Sequence, residues 1–243
     1  MRLFPRLFFL LFLQVQFTIS QETEIRKELY ELHDSVIGYE NLPLVNGVEL
    51  IEKYRTINDK HQFFLDRDFL NGTVNYNGQT YYEVELKFDI FRDLLFMKLK
   101  ENSRTMLMEL IKEKVKEFTI LEHSFKNLDL SGQPFESGFY EVILNDDKLK
   151  IYKRMKLKPA EKRDMRMLYY EFEKLDDEYV FYKPDAGYFE PKASVLNNKF
   201  PSCAKEIKEY SSTNKNSRRN STDLYMVGLG RLLMKADCTE PSF

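Results

Sequence analysis

Gly72-Thr73-Val74-Asn75-Tyr76-Asn77-Gly78-Gln79-Thr80-Tyr81-Tyr82-Glu83-Val84-Glu85-Leu86-Lys87-Phe88 is the stretch from which the fold is read. Tyr82, Val84, Leu86 and Phe88 fall on one side, and Glu83, Glu85 and Lys87 fall on the other. A period of two is the mark of a strand with one buried face. Asn77-Gly78 separates this run from the β-prone Gly72–Tyr76, and an Asn-Gly pair accepts the positive φ values that a two-residue hairpin turn demands. The segment therefore predicts an antiparallel hairpin.

The same grammar extends outward. Leu94 to Leu99 reads as the next strand. Gly138 to Leu144 and Leu149 to Leu157 flank the polar turn Asn145-Asp146-Asp147, which predicts a second hairpin. Met167 to Phe172 and Glu178 to Tyr182 flank Leu175-Asp176-Asp177, which predicts a third. Thr105 to Thr119 fits two patterns: Met106, Met108 and Leu110 alternate, while Leu107, Ile111, Val115 and Phe118 fit a helical stripe. We read it as strands. A weaker hairpin is centred on Asn46-Gly47, where Pro43 cannot donate to a ladder. Helices are expected at the two ends of the chain. Ile25, Leu29, Leu32 and Val36 recur at helical intervals up to a stop near Gly38, and Ala193–Asn198 and Pro201–Tyr210 follow the strands. Ser211 to Thr222 reads as a polar loop, with Ser221 capping a last helix that reaches about Ala236, weakened by Gly228 and Gly230. The fold class is α+β: a curved antiparallel sheet with a short N-terminal helix and C-terminal helices (about residues 191–236), its concave face lined by Phe and Tyr.

The first twenty residues have a different character. Arg2 and Arg6 precede the apolar run Leu7–Leu13, and Thr18-Ile19-Ser20 closes it with small residues, the order of a cleaved export signal. The run is too short to span a bilayer. Residues 1–20 are read as a signal peptide and residues 21–243 as one β-rich domain. Cleavage lowers Lys+Arg from 37 to 35 against 39 Asp+Glu, so the net charge moves from −2 to −4. A small negative balance gives no reason to expect nucleic acid. No second long apolar run follows, so no transmembrane segment is expected after cleavage. Twenty Phe and fifteen Tyr, with no Trp, favour pleated surfaces. The two cysteines, Cys203 and Cys238, either pair in an oxidising compartment, worth about 3–4 kcal/mol by loop closure, or are two small buried residues.

The order Gly72-x-Val74-x-Tyr76-Asn77-Gly78-Gln79-x-Tyr81, then Val84-x-Leu86-x-Phe88-Asp89, resembles uncharacterised secreted β-rich proteins of Bacteroidota-type bacteria. Gly138-Phe139-Tyr140-Glu141-Val142 and Val195-Leu196-x-x-x-Phe200-Pro201 are similar to the same group. The likeness runs from about Asn41 to Leu233. It implies periplasmic or envelope residence and a β-rich body, and it carries no catalytic residue; the two cysteines are not part of it.

Candidate chemistry is sparse. His33, His61 and His123 form no close metal pair. Glu122-His123-Ser124 places acid, base and hydroxyl side by side, but neighbours on a strand face opposite ways, which argues against a triad. Asn127-Leu128-Asp129-Leu130-Ser131-Gly132 imitates a calcium loop but lacks an acid at the twelfth position, where Gly138 stands, so it reads as a turn. Asp66 and Asp68 straddle Arg67, and Asp89 and Asp93 straddle Ile90-Phe91-Arg92; as pairs they could serve a glycan hydrolase, or simply cap turns. Lys148, Lys150, Tyr152, Arg154, Lys156 and Lys158 share one predicted face, interrupted on the other by Lys153. This reads as a solvated edge strand or, if functional, a surface for anionic glycan or lipid through Lys148, Lys150, Lys156 and Lys158. Asn71-Gly72-Thr73 and Asn220-Ser221-Thr222 match the glycosylation pattern, relevant only in a eukaryotic secretory route.

These features predict an exported, non-enzymatic binding or scaffolding protein of the bacterial envelope, periplasmic or outer-membrane-associated, with no cofactor and no metal. Its partner is expected to be an envelope protein or an anionic surface. A carrier of a lipid or other apolar ligand, and a glycan hydrolase using a carboxylate pair, are the alternatives.

Overall fold

A computed structural model describes residues 48–49, 53–101, 104–164 and 167–235. The export signal, the N-terminal helix, the Asn46-Gly47 turn, His33 and Cys238 lie outside the described residues.

The architecture is the expected α+β arrangement, a large curved antiparallel sheet followed by helices. The strands are β1 (Val48–Glu49), β2 (Leu70–Tyr76), β3 (Gln79–Asp89), β4 (Leu94–Glu101), β5 (Arg104–Glu109), β6 (Val115–Ile120), β7 (His123–Leu128), β8 (Gly138–Asn145), β9 (Lys150–Arg154), β10 (Leu157–Asp164), β11 (Met167–Lys174), β12 (Glu178–Lys183) and β13 (Gly187–Phe189). Eleven of them form one sheet in the order β1-β5-β4-β3-β2-β6-β7-β8-β9-β12-β13, and β10 pairs with β11 as a separate ribbon. The helices are α1 (Ala193–Lys199), α2 (Ala204–Thr213), α3 (Lys215–Asn220) and α4 (Thr222–Leu233).

The Asn77-Gly78 hairpin forms as read, with φ of 52° and 85° at its two turn residues and Tyr76 opposite Gln79. Its parity differs in one place. Glu83 takes a left-handed φ of 54° beside a register shift between Gly72 and Val74, so Tyr81 rather than Tyr82 joins Leu86 and Phe88 on the buried face. A bulge adds one residue and flips every side chain beyond it.

Curvature follows from ring contacts. Phe88 on β3 and Phe139 on β8 are separated by four strand spacings, about 19 Å in a flat sheet, yet their ring centroids are 5.8 Å apart. The sheet curls around its apolar face, where Phe64, Phe88, Phe118, Phe125 and Phe139 touch one another. Phe118 stacks on Phe125 at 4.7 Å, while other pairs meet edge-on. Aromatic pairs of this kind each contribute about 0.5–1.5 kcal/mol beyond area burial.

Polar contacts lock the curl. Asp93, at the β3–β4 turn with φ of 57°, accepts the Phe139 N–H at 3.2 Å and faces Lys112 and Arg154. The connector between β5 and β6 is tied on both sides: Leu110 N donates to Leu95 O, and the Asn127 amide donates to the carbonyls of Lys112 and Val115.

Three sequence expectations are corrected. Met167–Phe172 does not form a hairpin with Glu178–Tyr182; β11 pairs with β10, while β12 pairs with β9. The basic strand is not an edge, because β9 is hydrogen-bonded on one side to β8 and on the other to β12. The polar stretch from Ser211 to Thr222 is not a loop: it contains the end of α2 and all of α3, and Ser221 precedes α4 without a side-chain cap bond.

The helices cover the end of the apolar face carried by β9, β12 and β13. Leu196, Ile207, Tyr225, Leu229 and Leu233 pack on Leu149, Ile151, Phe181 and Phe189. Gly228 and Gly230 have a reason to be in α4. A Cβ at Gly228 would lie 2.1 Å from the Tyr210 hydroxyl, and one at Gly230 would lie 2.7 Å from Ile151 Cδ1, so the missing side chains permit close packing.

Candidate functional site

Two polar features occupy opposite faces of the sheet and share strands β7 and β8. On the curled, apolar side a chain of charged groups fills the seam between the Phe cluster and the helix-covered cluster. Strand pairing sets Glu141 beside Lys153, and Lys153 beside Tyr179. Lys153 Nζ lies 2.6 Å from Glu141 and donates to Asp223 of α4 at 3.0 Å. The Tyr179 hydroxyl donates to the other oxygen of Asp223. At the far end, His123 Nδ1 donates to Glu141 at 2.6 Å, and Phe64 sits edge-on to its ring.

Glu141 and Lys153 are only 6% and 8% exposed, so their charges depend on each other. Burial works against the charged form of Lys153, but Glu141 and Asp223 outweigh it and hold its pKa above the ordinary value. Burial opposes ionised Asp223 too, and its bonds from Tyr179 and Lys153 prevail and lower it. Tyr179 is pushed upward by burial and then by Asp223. The seam thus links β7, β8, β9, β12 and α4 through charged and polar contacts, with its most buried pair, Glu141 and Lys153, inside the sheet.

The opposite face of β3, β2, β6, β7 and β8 carries a groove of about 540 Å³. Register explains its lining. Thr73 pairs with Thr119, and Thr119 with Ser124, giving a row of three hydroxyls across β2, β6 and β7. One pleat along, Thr80, Asn75, Glu117 and Lys126 form a second row across β3, β2, β6 and β7. Asn145 and Val142 close the β8 side. Asn75 Nδ2 donates to Thr80 Oγ1 at 3.0 Å, and Thr119 Oγ1 accepts the Thr73 N–H at 3.2 Å. The Asn75 Oδ1 is buried and accepts no hydrogen bond. Glu117 and Lys126 face each other at 3.7 Å.

The sequence candidates fall as follows. His123 and Ser124 do point to opposite faces, one into the seam and the other into the groove. His61 is half-buried, and burial followed by the Arg67 charge lowers its pKa. Asp66 is exposed in a turn and accepts the Asp68 N–H, whereas Asp89 is 0% exposed and held by Arg92 through both its N–H and its Nε. Burial pushes the Asp89 carboxyl up, against the pull of Arg92. Each of these acids is thus engaged with its own local partner. Asp129 accepts bonds from the backbone and hydroxyl of Ser131, and Asn127 donates to backbone carbonyls, the contacts of a turn.

The four lysines of the expected basic face do not share one strand. Lys148 is in the β8–β9 turn, Lys150 in β9, Lys156 in a connector paired with Glu178 at 2.8 Å, and Lys158 in the ribbon. Cys203 is buried; Cys238, the other cysteine, lies outside the described residues. Among the described residues there is no group of three or more His, Cys, Asp or Glu side chains placed to hold a metal ion, and no helix long and apolar enough to cross a membrane.

Sequence reading gave no binding role to Thr73, Asn75, Thr119, Ser124 or Lys126. They occupy the polar half of alternating strands, which looks like ordinary solvated surface until the strand order is known. No family model, curated protein or solved structure matches the chain.

Proposed function

We propose that this chain is an exported, non-enzymatic binding protein of a bacterial envelope, and that the groove across β3, β2, β6, β7 and β8 holds its partner. The observation carrying this reading is the pair of hydroxyl and amide rows on adjacent strands. Groups so arranged can hold a ligand by many weak polar contacts. His123 faces the seam while Ser124 faces the groove, so Glu122-His123-Ser124 does not assemble as a triad there. Export is supported by the basic-then-apolar opening of the sequence, and an oxidising compartment would let Cys203 and Cys238 pair. Filling of the curled interior by the Phe rings leaves the carrier reading with less support than the groove.

A photo-reactive amino acid placed at exposed Asn145, on the groove rim, tests the proposal in intact cells. Adducts to envelope material from position 145, and none from Lys162 on the ribbon, are expected. Adducts from the ribbon alone would overturn the assignment of the groove.

A further inference from the structure

We infer that the groove takes a neutral, polyhydroxylated chain, an uncharged oligosaccharide laid across the strands. This deepens the binding reading above and rests on it. Neighbouring strands place side chains about 4.8 Å apart, and residues two apart on one strand are separated by about 6.8 Å. The two rows therefore make a grid of polar groups on the scale of single sugar rings.

The chemistry of the grid is matched to hydroxyls. Thr119 and Thr80 each accept a bond within the protein, from the Thr73 N–H and the Asn75 amide, and each keeps its own O–H to donate. The hydroxyls of Thr73 and Ser124, in the row with Thr119, can each donate and accept. Only a ligand group that both donates and accepts satisfies neighbouring positions of this kind, and a sugar hydroxyl does so.

Other ligand classes fit poorly. An acyl chain would cover these groups without pairing them, which is costly. An anion would find one cation, Lys126, already facing Glu117 at 3.7 Å, so the lining has no net charge to attract it. A peptide added as a strand needs a free edge, whereas β2, β6 and β7 are each paired on both sides.

The test is affinity electrophoresis of the exported, unreduced protein through gels containing neutral soluble polysaccharides (β-glucan, xylan or mannan) or anionic alginate. Retardation by a neutral polymer that persists at high salt is expected. A double variant, T73V with T119V, should weaken it about tenfold through two lost hydrogen bonds. N145R, at the exposed rim, should block binding without touching packed positions, and K148A should leave it unchanged. Retardation by alginate alone, abolished by salt, would overturn the inference. So would the absence of retardation in every neutral gel. If photo-adducts at position 145 persist in that case, the groove reading survives without the sugar; if they are absent too, both fall.

Discussion

Replacing Lys153 by methionine keeps the length of the side chain and removes its charge. In the wild type its ammonium is 2.6 Å from Glu141 and 3.0 Å from Asp223. The two acids respond differently to its loss. The Asp223 side chain is 48% exposed and can return to water, so that arm of the seam contributes little. The Glu141 side chain is 7% exposed and keeps only His123. Removing one partner of a buried pair costs about 3–5 kcal/mol, and the remaining His123 bond places K153M near the lower figure, about 3 kcal/mol. Urea unfolding of the unreduced protein at neutral pH, followed by tyrosine fluorescence and far-UV circular dichroism, measures it. Adding E141Q should recover about 2 kcal/mol, because the uncompensated charge is then gone. K126A serves as a control: its partner Glu117 is exposed, and the expected cost is about 0.5 kcal/mol. A K153M cost below about 1 kcal/mol, or no recovery with E141Q, would refute the view that charge holds this seam.

Other outcomes follow from the same packing. The folded pKa of Asp223 lies below its unfolded value of about 3.8, so its contribution is present above that pH and lost as pH falls through the lower folded value; D223N should show a shallower acid loss of stability than wild type in denaturation at a series of pH values. Gly230→Ala brings a Cβ to 2.7 Å from Ile151, and overpacking of about 1–3 kcal/mol should exceed the roughly 1 kcal/mol gained in helix propensity, lowering the urea midpoint. Intact-mass analysis of unreduced exported protein should find Cys203 joined to Cys238; two alkylatable thiols would reject that pairing.

The local parts of the fold were legible in the chain. Asn77-Gly78 announces its turn because few other pairs accept two positive φ values in succession. The strand runs around it carry their own period. What stayed hidden was non-local. The bulge at Glu83 swaps Tyr82 for Tyr81, and no alternation rule foresees it. Lys153 looked like a blemish on an apolar face because its partners, Glu141 and Asp223, lie 12 and 70 residues away. The turn-like Asp176-Asp177 pair suggested a hairpin, but β12 finds its partner in β9 and leaves β11 to β10. The groove was hidden for the same reason. Thr73, Thr119 and Ser124 become a row only when β6 takes its place at the edge of β2.

The most direct measurement is a methyl spectrum of the exported protein labelled at threonine, titrated with neutral polysaccharide released from the envelope. Thr73, Thr80 and Thr119 line the groove, whereas Thr56, Thr213 and Thr222 do not. The first three are expected to shift together while the others stay in place. Spectra in which the groove methyls remain still, or in which only Thr222 moves, would contradict binding in the groove.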